Sequence, residues 1–252
     1  MTKRILILLS LTLLSPLASA AFKYETLSAL QMETWRVRMG FHQLAVRGNA
    51  PQDLDALEDV IAEGSGLVDE LGQQASNATE KDSAAEVVKL WSALSDRAVD
   101  NPLASLGYAD FNAFSEINSL TVDLHNELQK NLTSAEKGGH DELLQLGVAL
   151  LRMSSEYLAL STFPSAGINT GTKQDAMAFS SDAMAFEMHM AELEKKRSAE
   201  PDVKRLLATL KMRWTFIKGA IPQLDDPNAA RVPLLFYRYS SQTAEDLLAS
   251  MK

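Results

Sequence analysis

Apolar residues recur along this chain at alternating three- and four-residue steps. Leu27, Leu30, Val37, Phe41 and Leu44 follow that rhythm, with Thr34 filling the one missing place. The spacing is that of a helix with one inward seam. Leu54, Leu57, Ile61, Gly64, Val68 and Leu71 repeat it, with Pro51 where a first-turn proline is tolerated and Gly64 at a place that suits a close helix approach. A third helix is predicted over about Asp82 to Val99, turning Val88, Trp91, Leu94 and Ala98 inward, with Thr79 to Asp82 as a capping-box start. A fourth covers about Tyr108 to Leu132, through Phe114, Ile117, Thr121, Leu124 and Leu128.

Thr133 to His140 is polar and carries Gly138-Gly139, a natural break. Four further helices are predicted beyond it, over about Asp141 to Ser161, Asp175 to Lys196, Asp202 to Ala220 and Val232 to Met251. No stretch alternates with period two for long enough to make a strand. The expectation is an all-α chain built as two tandem antiparallel four-helix bundle units, about eight helices in all, over residues 21–134 and 135–252.

The two halves echo one another. Trp35-Arg36-Val37-Arg38-Met39 returns loosely as Ala149-Leu150-Leu151-Arg152-Met153, Arg152 following Arg38 by 114 residues. Trp214 follows Trp91 by 123, and Asp226-Pro227 follows Asn101-Pro102 by 125. The offsets grow steadily, as one duplication with a loop insertion at Phe163 to Gly171 would make them.

Residues 1–20 read as an export signal. Lys3 and Arg4 precede an apolar run from Ile5 to Leu14, and Ala18 and Ala20 supply the small residues of a cleavage site before Ala21. The run stops at Pro16, short of a membrane span. The expected address is periplasmic or secreted, in a bacterium, with no stable membrane anchor. The chain has no cysteine, which removes disulfides, thiol catalysis and zinc-cysteine, iron–sulfur or c-type haem sites. Without Lys3 and Arg4 it carries 22 basic against 33 acidic residues, which disfavours nucleic acid as a partner.

Candidate chemistry is sparse. His42, His125, His140 and His189 lie far apart, and no nucleophile elbow or phosphate loop is present. His125 reads most simply as an exposed, ion-paired residue beside Asp123 and Glu127. The expectation is a protein that binds and does not catalyse, with no cofactor. Met184, Met188 and His189 on one helix of an exported protein would suit copper, and a Met–His pair could hold b-type haem. The plainer reading makes Met177, Met184 and Met188 fillers of the core seam. Arg38 and Arg152 read either as snorkelling surface residues or as a pair of forks for a small oxyanion. Trp35 sits beside the seam, placed to cover the junction of the halves or to stack on a cation. Phe236-Tyr237-Arg238-Tyr239 puts aromatic surface on more than one face of the last helix, which must pack on both sides or meet a partner.

Arg38-Met39 and Arg152-Met153, each mid-way along the first helix of a half, resemble the Arg-Met segment of PilJ-type chemotaxis transducer domains and of nitrate/nitrite sensor domains. The resemblance implies up-down four-helix sensor units, and an anion or polar metabolite held near Arg38, Arg152 and Trp35. A tandem protein would then supply both arginines from one chain and pass occupancy to an envelope partner. Trp35 and Ala149 stand where the family has glycine, and Glu33 where the nitrate sensors carry lysine. The other reading is an envelope adaptor with no small-molecule site.

Overall fold

A computed structural model describes residues 22–101, 110–163, 178–225 and 230–251. The export-signal segment, most of the Phe163 to Gly171 loop, Met177 and Asp226-Pro227 lie outside the described residues. Eight α-helices account for nearly all of the rest: α1 Tyr24–Arg47, α2 Pro51–Gln74, α3 Ala78–Val99, α4 Phe111–Leu132, α5 Asp141–Thr162, α6 Phe179–Lys196, α7 Pro201–Ile217 and α8 Pro233–Ala249. A 3₁₀ segment, Lys218–Asp225, continues α7. The chain is all-α, and no described helix is long and apolar enough to cross a membrane.

Local chemistry sets most of the helix ends. Pro51, Pro201 and Pro233 occupy first-turn positions, where their missing N–H costs nothing. Helix α3 starts earlier than the sequence pattern places it. Its capping box is Asn77 with Glu80: the Asn77 side chain accepts from the Glu80 N–H and the Glu80 carboxylate accepts from the Asn77 N–H. Asn caps well because its short amide reaches back to the third residue. At the end of α1, Gly48 takes the left-handed conformation (φ 64°) and its N–H returns to the Leu44 carbonyl.

Helix α1 is the centre of the molecule. Every residue from Thr26 to Leu44 is buried, so the seam predicted on one face is only part of its contact surface. Helices α2, α3, α4, α5 and α8 all pack on it, most extensively α5. Helices α1 to α4 share one apolar core that includes Leu30, Phe41, Trp91 and Phe114. A second core holds α5 to α8 around Tyr157, Phe186, Trp214 and Phe236, and Met32, Trp35 and Met39 of α1 reach into it.

Close approaches are made where side chains are missing. A Cβ on Gly64 would sit 2.1 Å from Trp91 Cη2, so α2 takes the indole edge directly against its backbone. Trp91 is fixed there by its Nε1–H, which donates to Ser65 Oγ at 3.0 Å. Val88, predicted inward, is half exposed, because Ala84, Val87, Trp91 and Leu94 carry the buried stripe of α3. In α8, Phe236 is buried and stacks on Tyr157 with centroids 3.8 Å apart, while Tyr239 stacks on Phe216 of α7 at 5.3 Å. The aromatic run of the last helix is therefore largely used in packing within the chain.

Candidate functional site

The predicted site residues fall in three places. Arg38 is fully buried and ties α1 to two other helices through its guanidinium. Its Nε–H donates to Asn118 Oδ1 of α4 at 2.8 Å, and its two terminal nitrogens donate to Ser155 Oγ at 2.8 Å and Glu156 Oε2 at 2.9 Å, both on α5. A snorkelling arginine would reach water, and this one does not. Its charge is met by Glu156 inside the protein, so an anion at this point would compete with a carboxylate already in place. His42, one turn along α1, is also fully buried, stacks on Phe114, and has no hydrogen-bond partner at either ring nitrogen. Burial first and Arg38 second hold its pKa well below the usual imidazole range, so it is neutral.

Trp35 and Arg152 meet around His125 instead. Trp35 is fully buried and its indole N–H donates to His125 Nδ1 at 3.3 Å. That bond makes Nδ1 the acceptor and places the ring proton on Nε2. Burial, with the Arg152 charge adding to it, pulls the His125 pKa down to about 4. His125 is thus a half-buried acceptor and not the exposed ion-paired residue its acidic neighbours suggest, because Trp35 claims one side of the ring. Arg152 is partly buried.

The methionine helix is turned outward. Met184 is 60% and Met188 64% exposed, while Phe186, Met190 and Leu193 hold the core face of α6. The seam reading of Met184 and Met188 fails because the buried stripe runs through positions two residues away. His189, which follows Met188, is partly buried. Among the described residues no group of three or more His, Cys, Asp or Glu side chains is arranged to hold a metal.

A different site emerges where α2 and α8 flank α1. These two helices pack on α1 with a groove left between them, and Arg36 braces it. Its Nη1 donates to both Glu33 carboxylate oxygens at 2.9 and 3.1 Å and to Glu63 Oε2 of α2 at 2.9 Å, and its Nη2 lies 3.6 Å from Glu245 Oε1 of α8. One guanidinium therefore serves three carboxylates. Burial pushes the Glu33 carboxyl up to about 7, with Arg36 opposing and Glu63 and Glu245 adding to the rise.

On either side of this brace the groove widens. One cavity, about 450 Å³, reaches from Glu33 toward Lys23, Glu70 and Leu248. The other, about 580 Å³, runs from Arg36 past Gln43 and Asp53 to Tyr237 and Arg238. Its volume is that of a small-molecule site. Two of its lining side chains, Arg36 at 6% and Gln43 at 2% exposure, each keep one buried polar atom without a partner, Nε and Oε1 respectively. Arg38, Arg152 and Trp35 line neither cavity.

The sequence pattern assigns no site role to Arg36, Gln43 or Asp53, the last reading only as a helix-start carboxylate. Arg36 and Gln43 stand two helical turns apart and share a face off the apolar seam, which a surface helix would expose to water. The signal available was Glu33-x-x-Arg36, an ion-pair spacing on a helix whose other faces are also claimed. No family model, curated protein or solved structure matches this chain.

Proposed function

We propose that this chain is a non-catalytic ligand-binding protein of the exported, sensor-like kind, and that it takes a small polar solute in the α1–α2–α8 groove. The observation that carries the reading is the pair of orphaned polar atoms, Arg36 Nε and Gln43 Oε1, on two side chains more than nine-tenths buried in the wall of one cavity. Buried polar groups nearly always have partners, and an unsatisfied pair on side chains that line one cavity fits a site whose partner is a diffusible molecule.

The groove also suits relay. It is walled by α2 and α8, which belong to different apolar cores, and floored by α1, which reaches into both. A solute that draws the two walls together would alter the packing of α1 on α5. The Arg-Met resemblance to bacterial sensor domains supports the same class of function, with the ligand displaced from Arg38 and Arg152 to the neighbouring Arg36 face of α1.

Thermal unfolding of the purified protein against amines, amino acids, carboxylates and inorganic anions tests this. A bound solute at a hundredfold excess over its dissociation constant stabilises by about 2.7 kcal/mol. The shift is expected to vanish in Ala56→Trp, which fills the larger cavity from its α2 wall. A shift that survives this variant but is lost in Arg152→Ala would return the site to the anion position.

An adaptor role is supported by a separate feature. Met184 and Met188 on α6 and Met212 and Phe216 on α7 are each more than half exposed. Scattered apolar exposure is ordinary, but an exposed i, i+4 apolar pair on each of two packed helices suits contact with a partner helix. That reading predicts no solute-dependent shift.

A further inference from the structure

Resting on the groove reading above, the chemistry of its floor narrows the ligand class. Gln43 Nε2 donates to Asp53 Oδ1 at 3.4 Å, which fixes the amide: the reverse orientation would set its oxygen against a carboxylate. The amide oxygen is then left without a donor. Asp53, itself only 8% exposed, is in the same position, because its Oδ2 makes no hydrogen bond and has only the Arg47 Nε at 3.3 Å as an ion-pair neighbour. Two neighbouring side chains, joined through one hydrogen bond, thus each keep a buried acceptor atom that receives no hydrogen bond.

We infer that the Gln43–Asp53 corner of the groove is the seat of a primary ammonium group, and that the ligand is a linear alkylammonium. An –NH₃⁺ carries three donors on one atom and no acceptor, so it can serve acceptors on both side chains and adds charge beside Asp53, whose cationic neighbour Arg47 is 39% exposed and makes no hydrogen bond to Oδ2. A hydroxyl supplies a single donor, and a quaternary ammonium none. The rest of the ligand lies along α1 toward the Glu63 and Glu245 carboxylates. Gln43 and Arg36 are seven residues apart on one helix, or about 10 Å along its axis. That span fits an extended chain of several methylenes running past Ala56 and Val60, with a second ammonium at the acidic brace. An α,ω-diamine meets both ends, and an amino acid meets the first.

Isothermal titration of the full protein with putrescine, cadaverine, an α-amino acid, choline and acetate separates these chemistries. The diamines are expected to bind with one-to-one stoichiometry and the α-amino acid more weakly, while choline, which has the charge but no N–H, and acetate are silent. Gln43→Leu is expected to lower diamine affinity about tenfold or more, as loss of a charge-assisted hydrogen bond does. The ligand-free thermal midpoint of that variant should change little, because the partnerless acceptor is removed together with one long hydrogen bond to Asp53. Asp53→Asn, which keeps the shape and removes the charge, should weaken the diamines likewise. Choline binding as well as putrescine, or unchanged putrescine affinity in Gln43→Leu, overturns the ammonium seat. Binding of acetate alone, abolished by Ala56→Trp, overturns it while leaving the groove as a site; silence of every solute class removes both.

Discussion

Arg38 of α1 and Glu156 of α5 form a buried ion pair at 2.9 Å, with 0% and 5% of their side chains exposed, across the most extensive helix contact in the molecule. Charges out of water are stable only while paired and hydrogen-bonded, and here Asn118 and Ser155 accept two further guanidinium N–H groups. Arg38→Met leaves Glu156 buried without its counter-charge and should cost about 3–5 kcal/mol in denaturant unfolding. Adding Glu156→Leu should recover a large part of that loss. A single variant that unfolds like the parent would mean that the pair is not closed as described.

Gly64 and Gly66 lie on the same helix in opposite circumstances. A Cβ at Gly64 runs into Trp91, whereas a Cβ at Gly66 meets nothing within 4 Å. Gly64→Ala should therefore destabilise by about 1–3 kcal/mol despite its better helix propensity, because the indole is anchored to Ser65 and cannot swing away. Gly66→Ala should stabilise by about 0.5–1 kcal/mol. Paired thermal melts read both signs.

Much of this architecture was legible in the chain because apolar periodicity is a local signal. All eight helices, the break near Gly138 and the close approach at Gly64 could be read from spacing alone. What spacing hid was the all-round burial of α1. Nine of its buried residues are polar or charged, and such a helix reads as half solvated until its partners on other helices are known. Gln31, for example, donates to Gln129 of α4 at 3.0 Å, and Gln145 of α5 donates to Ser28 at 2.9 Å. The same blindness concealed the groove, since Arg36 and Gln43 lie on faces that only tertiary packing turns inward. The Met184–Met188 face failed for the opposite reason: methionine suits a core and an exposed face alike, so its position on a seven-residue step decided nothing.

Proton linkage should show two opposing slopes. Glu33 is raised from its ordinary 4.5 to about 7, so between those values the folded chain holds a proton that the unfolded chain has released. Its contribution falls as pH rises through that window, by on the order of 3 kcal/mol for a shift of this size. His125 is lowered from 6.5 to about 4, so the unfolded chain binds the extra proton and stability falls as pH drops through that window. Glu33→Gln should remove the first slope and leave a steeper acid loss than the parent shows. Unfolding free energies at pH 5, 6, 7 and 8 for parent and variant check this, and parallel curves would contradict it.

Replacing Met184 and Met188 together by Gln should change stability by no more than about 0.5 kcal/mol, as expected for solvated positions away from caps and pairs. Met190→Gln, on the buried face of the same helix, should cost well over 1 kcal/mol. A large loss in the double variant would place that face in contact with something, within the chain or outside it.

The side-chain amide of Gln43 gives the most direct view of the groove. In a ¹H–¹⁵N spectrum of the protein titrated with putrescine, saturable shifts are expected of the Gln43 carboxamide and of backbone amides near Asp53 and Tyr237. The signals around His125 and Arg152 should stay in place. Shifts confined to the His125–Arg152 region, or no shifts at all, would contradict the claim that the α1–α2–α8 groove is the binding site.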